Sequence, residues 1–350
     1  MFSLILQSAD KFVSRDFFEQ NYKIFPEKGD ILLTRIGNVG TPNVVESTDK
    51  LAYYVSLALL KAPKINSYFL CNLICTQEFK KELHRKTLTT AIPQKINKDE
   101  IRKITFFDST SSDERKKIGS LLEKINFTIT LHEEKKQQLK CLKSALLQKM
   151  FAYKNKSGDP DVRFKGFDER WERHMLNDLA IFNPKGTLPT SFEYVDLGSV
   201  IGVEMISHKT ISKFDAPSRA QRLAQVGDLF YQTVRPYQQN NYLFDNKDNA
   251  YVFSTGYAQL RPLIDGYFLL CLVQTKSFVR KVMNACTGTS YPAINSQDLA
   301  QIGVNIPINS KEQRLIGNLY KVIDNLIMLY QQKLDDLNTI KQSLLQKMFI

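Results

Sequence analysis

Apolar positions divide the chain into two kinds of sequence. From Asp113 to Phe151 there is no proline and one glycine, and Ile118, Leu121, Ile125, Leu139, Leu142 and Leu146 fall on three- and four-residue steps. Lys311 to Phe349 repeats this with Leu315, Leu319, Val322, Leu326, Leu329, Ile340 and Leu344. A 3.6-residue period puts each set on one face, which predicts two helices of about 38 residues, each on the order of 57 Å long. Ser111 or Ser112 can cap the first and Asn309 or Ser310 the second, because a short side-chain oxygen accepts an otherwise orphaned N–H. Such length points to a coiled coil. Both seams turn polar near their middles, at His132 and Lys135 in one and Lys333 in the other. In an antiparallel pair these midpoints would meet and could fix the register; equally, they are ordinary exposed interruptions.

The rest of the sequence has a shorter rhythm. Residues 171–308 are rich in Tyr, Phe, Val and Ile and are broken by Pro184, Gly186, Pro189, Gly198, Gly202, Pro217, Gly227, Pro236 and Gly256. Short strands joined by irregular loops fit this pattern. Residues 68–75 and 268–273 are compact apolar runs, strand or helix, and 279–285 fits a short helix. The polar stretch 155–161 carries Gly and Pro and reads as a linker. The fold class is therefore α+β: a globular domain over 1–110, a long helix over 111–152, a linker over 153–170, a second globular domain over 171–308 and a second long helix over 309–350.

The two halves resemble each other. Residues 143–151 (KSALLQKMF) and 341–349 (KQSLLQKMF) stand 198 positions apart. The same offset relates Gly29-Asp30-Ile31-Leu32 to Gly227-Asp228-Leu229-Phe230, Ile96-Asn97 to Ile294-Asn295, and Ile118-Gly119 to Ile316-Gly317. A fixed offset is the mark of duplication, so the chain reads as a tandem pseudo-repeat. Position 1 aligns with position 199, which leaves the first domain without a counterpart of 171–198.

Composition narrows the function. A net charge of +12 favours a polyanionic partner, of which nucleic acid is the commonest. The five cysteines and four histidines follow no zinc-site spacing, so no metal is expected and the thiols fit a reducing, cytoplasmic setting. No apolar run approaches the ~20 residues of a membrane span, and residues 1–9 lack the basic start and cleavage site of a signal peptide. There is no phosphate-cradling Gly-x-x-x-x-Gly-Lys-Ser/Thr loop, no Gly-x-Gly-x-x-Gly turn and no Gly-x-Ser-x-Gly elbow. Asn183-Pro184 continues into Lys185-Gly186, unlike an amino-methyltransferase motif. No catalytic residue and no cofactor site is expected.

What remains suits the reading of DNA. After Gly29-Asp30 come Thr34-Arg35 and the Gly-rich Gly37-Asn38-Val39-Gly40; the second copy offers Thr233, Arg235, Gln238, Gln239 and Asn240. Arg can bond guanine bidentately, and Gln or Asn adenine, in the major groove. Lys86 and Arg219 add cations, and Thr289 and Ser290 add hydroxyls, completing the expected DNA-binding set. The alternative is an Arg-capped turn with solvated amides. The apolar helix ends Leu146, Leu147, Met150 and Phe151, with Leu344, Leu345, Met348 and Phe349, exceed what one helical seam requires and are expected to bind partner proteins. A coiled-coil scaffold without DNA binding is the other reading of the same features.

The repeated LLQKMF, the segment Val162-Arg163-Phe164-Lys165-Gly166-Phe167 with Trp171-Glu172, and GDILLTRIGNVG together resemble the specificity subunit of type I restriction–modification systems. Ser254-Thr255-Gly256-Tyr257, Leu260-Arg261-Pro262, Thr287-Gly288-Thr289, and Ile306-Pro307 before Glu312-Gln313-Arg314 extend the resemblance over nearly the whole chain. It implies two target recognition domains, each reading half of a split asymmetric site in double-stranded DNA, and two long helices packed as an antiparallel coiled coil. It also implies a non-catalytic subunit that recruits two methyltransferase subunits and the restriction/translocase subunits. S-adenosylmethionine, ATP and Mg would be bound by those partners. The first copy departs from the pattern: Thr89-Thr90-Ala91 replaces Thr287-Gly288-Thr289, and 107–114 lacks the Ile-Pro and Glu-Gln elements.

Overall fold

The computed structural model describes residues 12–107, 109, 111–151, 160–247, 250–288 and 290–349. The chain divides into two units, one of residues 1–136 with 329–350 and the other of 137–328. In unit 1, helix α1 (Arg15–Asn21) precedes an antiparallel sheet in the order β2-β1-β3, made of β1 (Ile31–Thr34), β2 (Pro42–Val44) and β3 (Leu57–Leu60). Helices α2 (Ser67–Ile74), α3 (Gln77–Lys86) and α4 (Lys98–Arg102) follow, and then α5 (Ser112–Phe151), which belongs to this unit as far as Lys136. Alternation buries Ile31 and Leu33 of β1 against Leu70, Leu73 and Ile74 of α2 and Phe79 and Leu83 of α3.

Unit 2 is larger. It contains β4 (Trp171–Met175), α6 (Leu176–Leu179), β5 (Ala180–Phe182), β6 (Ser191–Val195), β7 (Val200–Ile201), β8 (Glu204–Met205), β9 (Lys209–Ser212), β10 (Ala220–Leu223), β11 (Leu229–Gln232), β12 (Tyr242–Leu243), β13 (Tyr251–Ser254) and β14 (Tyr257–Pro262). These are followed by α7 (Gly266–Val273), α8 (Lys276–Ala285), α9 (Ser296–Ala300), β15 (Gly303–Pro307) and α10 (Ser310–Met348), whose residues through Met328 belong here. One sheet runs β12-β11-β14-β5 and a second β10-β13-β6-β9, while β15 pairs with β4. Phe230 and Phe253 stack between the two sheets at 3.6 Å, with Tyr257 edge-on to both. Among the described residues unit 1 has no counterpart of the second sheet.

Both ambiguous apolar runs are helices, α2 and α7. Residues 268–273 are buried on every side, so no amphipathic period shows in them. Their caps match: Asn66 accepts the Phe69 N–H at 3.0 Å and Asp265 the Phe268 N–H at 2.8 Å. A glycine of each long helix lies against the same caps, Gly119 on Asn66 and Gly317 on Asp265, where a Cβ would collide with the carboxamide or carboxylate oxygen. The long helices begin as the periodicity predicts, Ser111 accepting the Glu114 N–H at 3.3 Å and Asn309 the Lys311 N–H at 3.0 Å. Within unit 1, His132 of α5 lies edge-on to Tyr330 of α10 at 5.4 Å and Lys136 is bonded to Gln331. Within unit 2, Lys143 of α5 pairs with Asp324 of α10 at 2.5 Å, and Tyr267 donates to the same carboxylate at 2.7 Å.

The apolar helix ends are mostly internal, which corrects their assignment to partners. Met150 and Phe151 are buried in the unit 2 core, and Leu146 and Leu147 pack against it. Leu344, Leu345 and Phe349 pack on Phe69, Ile118 and Leu122 of unit 1. Of the eight, Met348 is the most exposed, at 36%. An apolar surplus beyond one helical seam was needed here to seat each helix end in its own unit.

Candidate nucleic-acid interface

The loops that follow β11 are stitched together at one end of its sheet. Thr233 donates both its N–H and its hydroxyl to the Gly256 carbonyl, at 2.9 and 2.7 Å, and its own carbonyl accepts the Ile294 N–H at 3.0 Å. Val234 bridges Ala293, and the Arg235 N–H donates to the Pro292 carbonyl at 2.7 Å. The Thr255 N–H donates to the Arg219 carbonyl at 2.8 Å, which brings exposed Arg219 to the same edge. Residues 233–241, 254–257 and 290–294 thus converge.

Arg235 stands out within this cluster. Its φ of 55° is left-handed, a region in which an L side chain is strained by on the order of 1–3 kcal/mol. Its guanidinium lies 4.3 Å over the ring of Tyr291, which is itself 65% exposed. A cation held on an aromatic face has its planar fork of donors fixed in orientation. Tyr237 and Gln238 are exposed beside it on the turn Pro236–Gln238. Tyr291 was missed in the sequence because its partner lies in another loop; the signal was an aromatic directly after Ser290.

Other expected readers act within the protein. Gln239 donates to the Gln274 carbonyl at 2.7 Å and Gln274 donates back to the Gln239 carbonyl at 3.0 Å. Asn240 accepts the Gly202 N–H at 2.8 Å. Thr233 is buried, as are Gln232 and Asn241 behind the loop. These side chains set the shape of the loop and do not face outward as the sequence suggested. Ser290 is exposed, and Thr289 lies outside the described residues.

In unit 1 the Thr34 hydroxyl is bonded to the Asn38 carbonyl and accepts the Thr41 N–H at 2.9 Å. Arg35 donates from Nε to the Val55 carbonyl at 2.8 Å and from Nη1 to the Ile96 carbonyl at 3.2 Å. Arg35 therefore braces backbone through two of its nitrogens. Exposed Asn38 stands at the loop tip, with half-buried Lys86 at the end of α3 nearby.

Other chemistry is sparse. Among the described residues no group of three or more His, Cys, Asp or Glu side chains is placed to hold a metal ion, and no helix is long and apolar enough to cross a membrane. Burial pushes the Cys71 thiol up to about 12 and raises Cys75, Cys271 and Cys286, which disfavours nucleophilic thiolates there.

Residues 169–339 match the family model of the type I restriction modification DNA specificity domain. No curated protein matches the chain. Among solved structures, the S subunit of a type I restriction–modification system from M. genitalium is 15% identical with a TM-score of 0.66, covering 93% of this chain and 84% of that one. A chain from a structure of type I R-M complex assembly and conformational transition is also 15% identical, with a TM-score of 0.49, covering 93% and 82%. At this identity the M. genitalium structure shows a shared fold. The similarity to the type I restriction modification DNA specificity domain thus lies in residues 169–339, just under half of the chain.

Proposed function

We propose that the chain is the non-catalytic, DNA-reading subunit of a type I restriction–modification complex in the cytoplasm. It reads a bipartite, asymmetric site in double-stranded DNA, one part through each unit, and recruits two methyltransferase subunits and restriction/translocase subunits. S-adenosylmethionine, ATP and Mg belong to those partners. The observation that carries this reading is Arg235, strained and stacked on exposed Tyr291 at an edge that also presents Arg219, Tyr237 and Gln238. Arg235 is the side chain that inspects a base, guanine by its chemistry, while Arg219 and neighbouring lysines contact phosphates. The matched caps, strands and helix-seating residues 198–199 positions apart support a duplicated design. The contacts of α5 with α10 in each unit support an antiparallel coiled coil.

The test is DNA binding by the chain, alone and with a methyltransferase partner, over a range of salt. Affinity should fall steeply with salt. Arg235→Ala should weaken the preferred sequence by about 1–3 kcal/mol relative to random DNA. Salt-independent or absent binding in both settings would leave a protein scaffold as the better reading.

Recruitment is assigned to helix faces. Leu315, Val322 and Leu326 of α10 form an exposed apolar stripe within unit 2 at three- and four-residue multiples, whereas the offset positions on α5 are Lys117, Lys124 and Thr128. Val322→Asp with Leu326→Asp is expected to reduce methyltransferase co-purification while circular dichroism and DNA binding by the chain stay unchanged. Undiminished co-purification would remove the stripe from the partner surface.

A further inference from the structure

The same loop junction occurs in both units with opposite chemistry. Gly37 donates its N–H to the Gln94 carbonyl at 2.8 Å, as Arg235 does to the Pro292 carbonyl at 2.7 Å, and both are left-handed, with φ of 82° and 55°. Ile96 N–H bonds the Arg35 carbonyl as Ile294 N–H bonds that of Thr233, so Arg35 corresponds to Thr233 and Gly37 to Arg235. Unit 1 has taken the residue that the backbone favours there and has no side chain at the reading position.

The flanks are reversed. Lys86 ends α3 where Ala285 ends α8. Lys95 bridges Leu88 and Ile36 where Ala293 bridges Thr287 and Val234. Unit 1 therefore places two lysines where unit 2 places two alanines. Among the described residues neither lysine has an ion-pair partner, whereas Arg85, Arg102 and Lys103 nearby are paired with Glu82, Asp99 and Glu100. Exposed Lys80, Lys81 and Lys98 add to the positive field.

We propose that Lys86 and Lys95 bind the phosphate backbone of double-stranded DNA, so that unit 1 acts as a clamp and its half of the site is the more degenerate. This rests on the reading of the chain as a DNA-binding subunit. A lysine ammonium is a point charge that neutralises a phosphate without reporting base identity, unlike an oriented guanidinium fork.

The test uses the full chain with its methyltransferase partner, a randomised duplex library for sequence selection and one random-sequence duplex for salt titration. Lys86→Gln with Lys95→Gln should weaken binding to every duplex by the same factor. Each lost phosphate contact removes roughly 0.9 from the slope of log affinity against log salt, so the pair should flatten it by about 1.8. The selected motif should be unchanged, and in the wild type one of its two blocks should be markedly less constrained. The single Lys95→Gln change, at an exposed position, should flatten the slope by half as much and guards against a folding defect in the pair. A changed motif, an unchanged slope, or two equally constrained blocks would overturn the clamp while leaving DNA binding intact. Absence of salt-dependent binding by the wild type would overturn the underlying reading, and the clamp with it.

Discussion

Phe151→Ala is expected to destabilise unit 2 by about 3–5 kcal/mol, the range for emptying a large aromatic site in a packed core. Phe151 is 1% exposed, and its ring lies 5.4 Å from Phe268, 6.0 Å from Trp171 and 6.2 Å from Tyr320. It joins the end of α5 to α7, β4 and α10 at once, so the cavity has no single neighbour able to relax into it. The equivalent Phe349 packs tilted against Phe69 at 5.0 Å but is only partly buried, and Phe349→Ala should cost less. Urea denaturation followed by Trp171 fluorescence reads the unit 2 transition directly, since the chain has one tryptophan. A Phe151→Ala protein with unchanged midpoint but lost methyltransferase co-purification would return the LLQKMF ends to the partner surface.

How far the sequence revealed this structure depended on whether a signal was local. The long helices were legible because one face is apolar and the other polar over many turns, with no proline between. Residues 268–273 were not, since burial on all sides erases the period that separates helix from strand. The site was legible only in part. Thr34-Arg35 and Thr233-Val234-Arg235 look alike as strings, which invites pairing Arg35 with Arg235; hydrogen bonds to Gln94 and Pro292 pair Gly37 with Arg235 instead. Tyr291 gained its role from a contact 56 residues away in sequence, which no local pattern contains. The apolar helix ends were seen correctly as a surplus, but composition cannot distinguish a surface that meets a partner from one that meets its own domain.

Arg163→Ala is expected to cost about 3–5 kcal/mol for a different reason, the stranding of a buried charge. Glu312, in the first turn of α10, has 0% exposure. Arg163 grips it bidentately, Nε to Oε1 at 2.8 Å and Nη2 to Oε2 at 2.7 Å, while Nη1 donates to the Glu169 carbonyl at 2.7 Å. The segment after α5 is thereby tied to the start of α10, just past β15, where the strand that pairs with β4 turns into the helix. Removing the guanidinium leaves a carboxylate in the interior with, among the described residues, the helix N-terminus to offset it, a contribution of up to about 2 kcal/mol that does not match the loss. The charge, not the lost side-chain volume, should dominate. Glu312→Gln in the Arg163→Ala background is therefore expected to recover part of the stability, and Arg163→Met with Glu312→Leu should lie closer to wild type than Arg163→Ala alone. Urea midpoints of the four proteins decide it: no recovery by Glu312→Gln would show that Arg163 acts through packing and its bond to Glu169, and that the ion pair contributes little to holding α10 in unit 2.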